Sequence, residues 1–520
     1  MSTDAIRPQD RQFGGHPIGL WVLFTTEMWE RFCYYGMRAF LVLYLISSLN
    51  DSNPGFGWQE ASAYHLYGWF TGLVYLTPLL CGWIADRFIG THRSVLFGGI
   101  TIAVGEFCLF LTEFFRAGAT ETVTLRSNPV PCILFFAGLL ILVIGNGFFK
   151  PCISVMVGEL YGANDPRRDA AFTYFYMGIN VGAFLAPFVA GTIAEKIGWH
   201  WGFLTACIGM IFGLCTYSFF RPKYLGRIGM LDDKQQDSAE EKPEAPLTRV
   251  EIDRVSVILI LTLFCIAFWS VFEQAGSSLN TFAKNLTDRT VSASVAKLAP
   301  GAFLVNEAKD SPQTGEETQS VAEQAAPSAP SKQDVYTFPA TWYQSVNALG
   351  IVLLAPLFGL MWSSLARRKK EPSTPQKFGW GLLLLGVAFL FMVSAAIQAQ
   401  KTGGNAGPYW LLITYVFCTL GELCLSPVGL SMVTRLAPKK YASLMMGVWF
   451  LSSSVAGYLS GKLAAVLGST DGTGGQIYFF FGERGGLADY FLLMAIVPII
   501  AGLIVMPLVP TLKRMMHLGE

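Results

Sequence analysis

A single apolar segment near the start of the chain carries four charged side chains, Glu27, Glu30, Arg31 and Arg38. Each such charge costs about 2.5–3.5 kcal/mol at the centre of a bilayer on insertion scales. At 3.6 residues per turn the four charges share one helix face with two tyrosines. They could form an ion-pair cluster that only orients the helix. We favour a polar stripe that lines a water-filled path for a charged species. The stripe comprises Glu27, Glu30, Arg31, Tyr34, Tyr35 and Arg38.

The composition of the whole chain is that of a membrane protein. Of its 520 residues, 52% are hydrophobic and only 14% are charged, and the mean hydropathy is +0.44. A soluble chain carries about 25% charged residues. The net charge of +1 says little about partners, and we expect the lipid bilayer, rather than a nucleic acid or an obligate protein partner, to surround the chain.

Apolar windows of about 20 residues predict twelve membrane-spanning helices. They form two groups of six, so the predicted fold is an all-α membrane protein made of two six-helix bundles, at 18–220 and 255–510. The spans are predicted at 18–48, 60–84, 94–115, 131–158, 170–195, 201–220, 255–284, 341–363, 378–399, 408–434, 442–467 and 488–509.

The segments outside these spans are polar. The linker 221–254 is rich in charge and proline, and it contains no run long enough to cross a membrane. We predict that 285–340 forms a long disordered loop between the seventh and eighth spans. Short termini, 1–17 and 511–520, complete the chain.

The distribution of Lys and Arg predicts the orientation of the chain. With the N-terminus in the cytoplasm, the short inner loops hold twelve Lys or Arg residues and the short outer loops hold five. This asymmetry favours a cytoplasmic location for both termini. The inner set is Arg87, Arg93, Arg167, Arg168, Arg367, Arg368, Lys369, Lys370, Lys377, Arg435, Lys439 and Lys440.

The two groups of spans resemble each other. GNGFFKP at 145–151 in the fourth span aligns with GELCLSP at 421–427 in the tenth, and WERFCYYG at 29–36 in the first aligns with WSVFEQAG at 269–276 in the seventh. Two matches between corresponding spans are what a parallel six-helix repeat predicts. Such a repeat places a binding site near the membrane midplane, between the halves.

Charges on opposite halves form two candidate gate pairs. Lys150 and Glu422 lie on repeat-related spans, while Arg38 and Glu273 lie at similar depths nearer the outside. Closing a gate would form such a pair and opening would separate it, although a permanent clamp between helices remains an alternative. Glu106 has no obvious partner, and we interpret it as a structural carboxyl.

The cysteines and short motifs give no sign of an enzyme. All ten cysteines fall within apolar spans, without metal-ligand spacing, and are expected to pack. The chain contains neither the zinc motif H-E-x-x-H nor the serine-hydrolase motif G-x-S-x-G. We therefore expect no catalytic residues, no metal and no cofactor.

The stretch E27-M-W-E30-R31-F-C-Y-Y resembles the E-x-x-E-R-F-x-Y-Y signature of the proton-dependent oligopeptide transporter family, within the major facilitator superfamily. Supporting matches occur in family order along nearly the whole chain. They are YLTP (75–78), GWIADRFIG (82–90), GFFKP (147–151), FYMGIN (175–180), FWSVFEQAGSSLN (268–280) and GELCLSPVGLS (421–431).

The resemblance implies roles for individual residues. Glu27, Glu30 and Arg31 would couple protons together with Lys150. Arg38 and Lys150 would bind a peptide's C-terminal carboxylate, and Glu422 would receive its N-terminus beside Asn180 and Asn347. The remaining implied substrate-site residues are Tyr35, Tyr75, Tyr176, Trp269, Glu273, Ser426 and Trp449.

The sequence also departs from the family pattern. Many bacterial members carry two extra helices between the halves, and the linker here has no room for them. Members often have Asn where Cys152 stands. Mammalian relatives have a functional His at the position that alignment on YLTP assigns to Gly68, and His65, a turn away, does not inherit that role. Proton handling is then expected to depend on carboxylates.

The resemblance implies a proton-coupled symporter that imports di- and tripeptides across the cytoplasmic (inner) membrane by alternating access. Protons would be the coupling ion. A transporter of the same fold for another small substrate, such as nitrate or a peptide-like drug, is the alternative. A channel or a receptor is a competing class, but a channel needs no paired gates on two sides and a receptor does not accumulate its ligand.

Overall fold

The computed structural model describes residues 11–161, 165, 167–230, 247–291, 305–306, 336–403, 405–438, 441–468 and 486–517. Twelve long helices lie within these residues, in agreement with the twelve predicted spans. They are α1 (Ile18–Ile46), α2 (Glu60–Ile84), α3 (Thr91–Arg116), α4 (Pro129–Glu159), α5 (Arg168–Ala186), α6 (Trp199–Tyr224), α7 (Arg249–Phe272), α8 (Trp342–Arg367), α9 (Thr374–Lys401), α10 (Tyr409–Leu436), α11 (Ala442–Gly468) and α12 (Gly486–Met515).

Among the described residues, eleven helices are long and apolar enough to cross a membrane. The remaining long helix, α1, has 29 residues, which is ample length. It differs from the others because its central turns carry the four charged residues of the polar stripe.

The helices pack as a repeated pattern. In the first half α3 packs on α4 and α6, and α1 packs on α5 and α6; in the second half α9 packs on α10 and α12, and α7 packs on α11 and α12. The halves meet chiefly where α2 packs on α11 and α5 packs on α8. Since α2 corresponds to α8 and α5 to α11, these two interfaces are repeat-related, as a parallel repeat requires.

Glycines at corresponding positions let helices in each half approach closely. A Cβ on Gly145 of α4 would lie 2.8 Å from the Gly98 carbonyl oxygen of α3. A Cβ on Gly421 of α10 would likewise lie 2.8 Å from the Gly381 carbonyl oxygen of α9. Gly145 and Gly421 begin the two aligned motifs, so their resemblance reflects a shared packing requirement for small residues.

Several helices continue beyond a local break. α2 runs into a π-helical turn at Ala85–Ile89, and α5 continues through a similar turn at Pro187–Gly191 into Thr192–Lys196. After α7 the chain forms a 3-10 turn at Glu273–Gly276, followed by a short helix, Ser278–Asn285. The break after α7 places Glu273 at the end of a helical segment that faces α1.

The structure differs from the predicted disorder over 285–340 at three short segments of that range. Three short strands, β3 (Thr290–Val291), β4 (Val305–Asn306) and β5 (Tyr336–Thr337), form an antiparallel sheet in the order β3-β5-β4. The ladder bonds of β5 to both neighbours hold them together. The stretch 309–334, which carries the disorder signal, lies outside the described residues, as does the central part of the linker. Near the N-terminus β1 (Gln12–Phe13) pairs with β2 (His16–Pro17).

Candidate functional site

A cavity of about 2080 Å³ lies between the two halves. At one end its lining reaches the exposed side chains of Arg168, Lys369, Arg435 and Lys513. The first three belong to the loops and helix ends predicted to be cytoplasmic. At the opposite end the lining includes Arg38 and Glu273, and both residues are buried. The cavity is therefore open at one end of the bundle and closed at the other.

The acidic part of the α1 stripe forms a buried cluster at the cavity wall. Arg31 forms ion pairs with Glu30 and with Glu27, the latter at 3.1 Å from Nε to Oε1. Arg31 also donates to the Asn146 side-chain oxygen of α4 at 3.5 Å. One carboxylate oxygen of Glu27 and one of Glu30 have no hydrogen-bond partner among the described residues. The cluster thus contains two carboxyl groups that share one guanidinium, with free lone pairs that can accept a proton.

Lys150 lies beside this cluster on α4. Its ammonium group is 4.2 Å from the centre of the Tyr75 ring of α2. This is close enough for a cation–π interaction. Both side chains line the cavity. Lys150 therefore presents to the cavity a cation that contacts the face of the Tyr75 ring. Its ammonium group is available to an anionic ligand.

Arg38 and Glu273 close the far end of the cavity. Arg38 of α1 forms an ion pair with Glu273 and donates a hydrogen bond of 2.6 Å to the Tyr67 hydroxyl of α2. The two charged side chains are 7% and 8% exposed. Removing one partner of a buried ion pair is strongly destabilising, because the other charge is left buried and unpaired. The ion pair predicted between Arg38 and Glu273 is present in this structure.

Further contacts between the halves reinforce the closed end. The Tyr64 hydroxyl of α2 donates to Thr281 at 2.8 Å, and Lys284 donates to Ser47 at 3.0 Å. Gly68 of α2 packs directly on Gly461 of α11, because a Cβ on Gly68 would lie 2.8 Å from the Gly461 Cα. A histidine at position 68 would not fit this interface. This contact gives a physical reason for the glycine.

Glu422 supplies the acidic side of the cavity. This residue of α10 accepts a hydrogen bond of 2.9 Å from Asn347 of α8, which also donates to Thr419 at 3.1 Å. Glu422 is 7% exposed and lines the cavity. Arg31 pairs with Glu27 and Glu30, and Arg38 pairs with Glu273. Lys150 of the first half and Glu422 of the second half therefore face the centre of the cavity as charges of opposite sign without an ion pair among the described residues. The cavity has two electrostatic poles.

The structure brings most of the predicted site residues to this cavity. Tyr176 of α5 is 39% exposed there, and the side chain of Asn180 bonds back to the Tyr176 carbonyl at 2.9 Å. The predicted residues that line the cavity are Glu27, Arg31, Tyr35, Arg38, Tyr75, Lys150, Tyr176, Asn180, Trp269, Glu273, Asn347, Glu422 and Ser426.

Two predicted residues lie behind the cavity wall. Glu30 is fully buried against Arg31. Trp449 is 7% exposed and packs edge-to-face on Phe378, with ring centres 6.1 Å apart. Its neighbour Phe450 lines the cavity instead. Placing Trp449 in a side-chain pocket is therefore wrong for this state, because the indole belongs to the core between α9 and α11.

Lys150 and Glu422 both line the cavity, but the described residues contain no ion pair between them. Lys150 contacts Tyr75, and Glu422 contacts Asn347. In a state that is open at this end, an inner gate pair would be separated. The separated arrangement is the one expected of an inner gate that is open.

Sequence reasoning missed several partners of the charged residues. Asn146 contacts Arg31, Tyr67 contacts Arg38, and Gln344 lines the cavity one turn before Asn347. A signal existed for Asn146, since it lies four residues before Lys150 and aligns with Glu422 in the repeat. Tyr67 lies two helical turns before Tyr75 on the same face of α2. These positions could have been found by extending each motif along its helix face.

Comparisons with known proteins agree with this geometry. A family model described as the POT family matches residues 92–227 and 318–479. The peptide transporter YePEPT of Yersinia enterocolitica subsp. palearctica is 33% identical, with 89% of this chain and 90% of that protein aligned. The chain belongs to the POT family.

Other members of the POT family support the assignment. The di-/tripeptide transporter of Lactococcus lactis subsp. cremoris is 32% identical over 91% of this chain and 93% of its own length. A crystal structure of a variant of peptide transporter POT in complex with alafosfalin superposes with a TM-score of 0.75 at 30% identity, covering 98% of both chains. This POT family member is a multi-pass membrane transporter.

Proposed function

We propose that the chain is a proton-coupled symporter that imports di- and tripeptides by alternating access. The observation that carries this proposal is the cavity with two opposite poles, Lys150 from the first half and Glu422 from the second. A short peptide is a zwitterion with variable side chains, so it fits two poles separated by a permissive aromatic wall. Relatives named as peptide and di-/tripeptide transporters support the substrate class.

The charged groups divide into two tasks. Arg38 and Lys150 bind the peptide carboxylate, while Glu422 binds the amino terminus beside Asn347 and Asn180. Glu27 and Glu30 take up the protons. Protonation of a carboxyl weakens its hold on Arg31, and it thereby frees the guanidinium to rearrange. No resident cofactor is needed, since the coupling ion is the proton.

The energetics favour inward transport. With both termini in the cytoplasm of a cell and the chain in its inner membrane, the open end of the cavity faces the cytoplasm. A membrane potential of 100 mV contributes about 2.3 kcal/mol for each charge moved inward. A single anion such as nitrate is not favoured, because it would leave Glu422 without a cationic partner in the substrate.

Capping the peptide tests the two poles. Converting the C-terminus of dialanine to an amide removes the charge that Arg38 and Lys150 would bind, and it leaves Lys150 without an anionic partner in the ligand. We expect the amide to compete with labelled dialanine at least ~10-fold more weakly than free dialanine, corresponding to the loss of one charge-assisted hydrogen bond or more. The measurement is competition in peptide counterflow with purified protein in proteoliposomes. Equal inhibition by both compounds would contradict the two-pole model.

A further inference from the structure

The carbonyl oxygen of Ala39, next to the gate residue Arg38, receives two side-chain amides from the second half. Asn280 Nδ2 donates to it at 2.7 Å, and Gln344 Nε2 donates to it at 3.2 Å. Ala39 lies inside α1. Its carbonyl therefore already serves the helix and has one further lone pair to share between the two amides.

The two amides differ in what else they face. Asn280 is 1% exposed and lies in the short helix beyond the break after α7, away from the cavity lining. Gln344 lies on α8 and lines the cavity. The bond from Gln344 is the longer of the two, so it is the one more readily exchanged for a ligand.

Gln344 also lies next to the acidic pole of the cavity, which consists of Glu422 and its hydrogen-bond partner Asn347. It precedes Asn347 by three residues, so both side chains lie on the same face of α8. Asn347 holds Glu422 at 2.9 Å. A ligand bound at Glu422 and Asn347 therefore lies within about one helical turn of the Gln344 amide. The same face of α8 thus contacts Glu422 through Asn347 and the Ala39 carbonyl at the closed end through Gln344.

We propose that Gln344 is a positioning residue that couples occupancy of the acidic pole to release of the closed end. In the empty cavity its amide holds the Ala39 carbonyl and stabilises α1 against the second half. A bound peptide, with carbonyl groups that accept hydrogen bonds, draws the amide away and weakens that hold. This proposal rests on the proposed function, because the ligand at the acidic pole is a peptide.

The test measures the distance between the two halves at the closed end. Spin labels are attached to two exposed positions, Ser52→Cys in the loop after α1 and Lys401→Cys at the last residue of α9. The background is a chain whose ten native cysteines are replaced. Distances are recorded by double electron–electron resonance with and without dialanine. In the parent chain, dialanine should increase the population with this end open.

Gln344→Met keeps the side-chain size and removes the amide. We expect the open-to-closed ratio without peptide to rise roughly fivefold, the effect of losing one ordinary hydrogen bond. Addition of dialanine should then produce no further change. The matched control is Thr281→Val, which removes the 2.8 Å bond from Tyr64 but lies outside the cavity lining. It should raise the ratio similarly and keep the response to dialanine.

The outcomes separate this inference from the proposed function. If Gln344→Met responds to dialanine as the parent does, or if the bound parent shows no response, the coupling role is overturned. If both Gln344→Met and Thr281→Val lose the response to dialanine, the response depends on the stability of the closed end as a whole and not on Gln344 in particular. Dialanine binding by the parent is measured separately by counterflow. Its absence would overturn the proposed function together with this inference.

Discussion

At the scale of single residues, the central feature is a pair of buried carboxyl groups that share one guanidinium. Arg31 pairs with both Glu27 and Glu30, and each carboxyl keeps one oxygen without a partner among the described residues. Glu27 lines the cavity, whereas Glu30 lies behind it. This difference divides the two roles: Glu27 is accessible from the cavity, and Glu30 sets the charge around Arg31.

The first prediction concerns Glu30. Glu30→Gln keeps the shape of the side chain but fixes it in a neutral form, so the Arg31 cluster no longer changes charge at that position. We expect proton-driven accumulation of dialanine to be lost while peptide counterflow, which needs no net proton movement, is retained. Both are measured with purified protein in proteoliposomes.

Glu106 provides a matched control for this prediction. It is a fully buried carboxyl on α3, it accepts a weak bond of 3.5 Å from the Cys33 thiol, and it lies outside the cavity lining. Glu106→Gln should keep proton-driven accumulation. If the Glu30 variant still concentrates peptide under a pH gradient, or if both variants lose accumulation equally, Glu30 has no specific coupling role.

At the scale of the elements, the closed end depends on close helix packing. Gly68 of α2 lies against Gly461 of α11, and Ser454 of α11 donates to the Gly72 carbonyl of α2 at 2.8 Å. The glycine contact joins backbone to backbone, so neither helix can yield there by moving a side chain. The α2–α11 interface is therefore sensitive to a single added methyl group.

Gly68→Ala tests this interface. The new Cβ would lie 2.8 Å from the Gly461 Cα and 2.9 Å from the Tyr458 carbonyl oxygen. Such overpacking costs the closed state about 1–3 kcal/mol. We expect a lower rate of dialanine uptake with unchanged expression and a more open end in the spin-label measurement.

Gly82→Ala is the control for Gly68→Ala in the same helix. Its Cβ would be 3.5 Å from the nearest atoms of Pro151, an ordinary contact within the first half. It should transport at nearly the parent rate. Equal behaviour of the two variants would show that closure at this end does not require the glycine contact.

The same scale shows what the sequence could and could not predict. Hydropathy predicted the helices, and the repeat predicted which helices correspond, because both depend on local pattern. Trp449 was misplaced because a neighbouring aromatic, Phe450, occupies the cavity wall, and periodicity alone does not separate adjacent positions on a helix that is apolar all round. The sequence could not predict the hydrogen bonds of Asn280 and Gln344 to Ala39. Their acceptor is a backbone carbonyl oxygen, which every residue has, so the residue type at position 39 gives no indication of it.

At the scale of the whole molecule, the structure shows one arrangement of two halves, with a formed gate pair at one end and a separated charge pair at the other. Sequence identifies candidate gate residues but not which gate is closed, since that depends on the free-energy difference between two arrangements of the same contacts. Alternating access requires a second arrangement, and we propose that Lys150 and Glu422 approach each other in it.

The inner pair can be tested by accessibility. A reporter, Ser431→Cys, lies on α10 in the cavity lining near the open end. During cycling with dialanine and an acidic exterior, Lys150→Ala and Glu422→Ala should each increase its labelling by a membrane-impermeant thiol reagent, because one buried charge loses its partner. Both single variants should also lose proton-driven uptake.

The charge swap is the control for the accessibility experiment. Lys150→Glu combined with Glu422→Lys restores opposite signs across the gate but reverses the polarity that the peptide meets. Protection of the reporter should return while transport does not. Unchanged labelling in all three variants would mean that the two residues bind substrate or protons without gating.

The most direct test of the whole account is uptake of labelled dialanine by the purified protein in proteoliposomes. An acidic exterior and an inside-negative potential are imposed separately and together. We predict accumulation above the external concentration only when a proton driving force is present, and its collapse on addition of a protonophore. Uptake that stops at the external concentration under every gradient, or no dialanine uptake at all, would contradict proton-coupled peptide import by this chain.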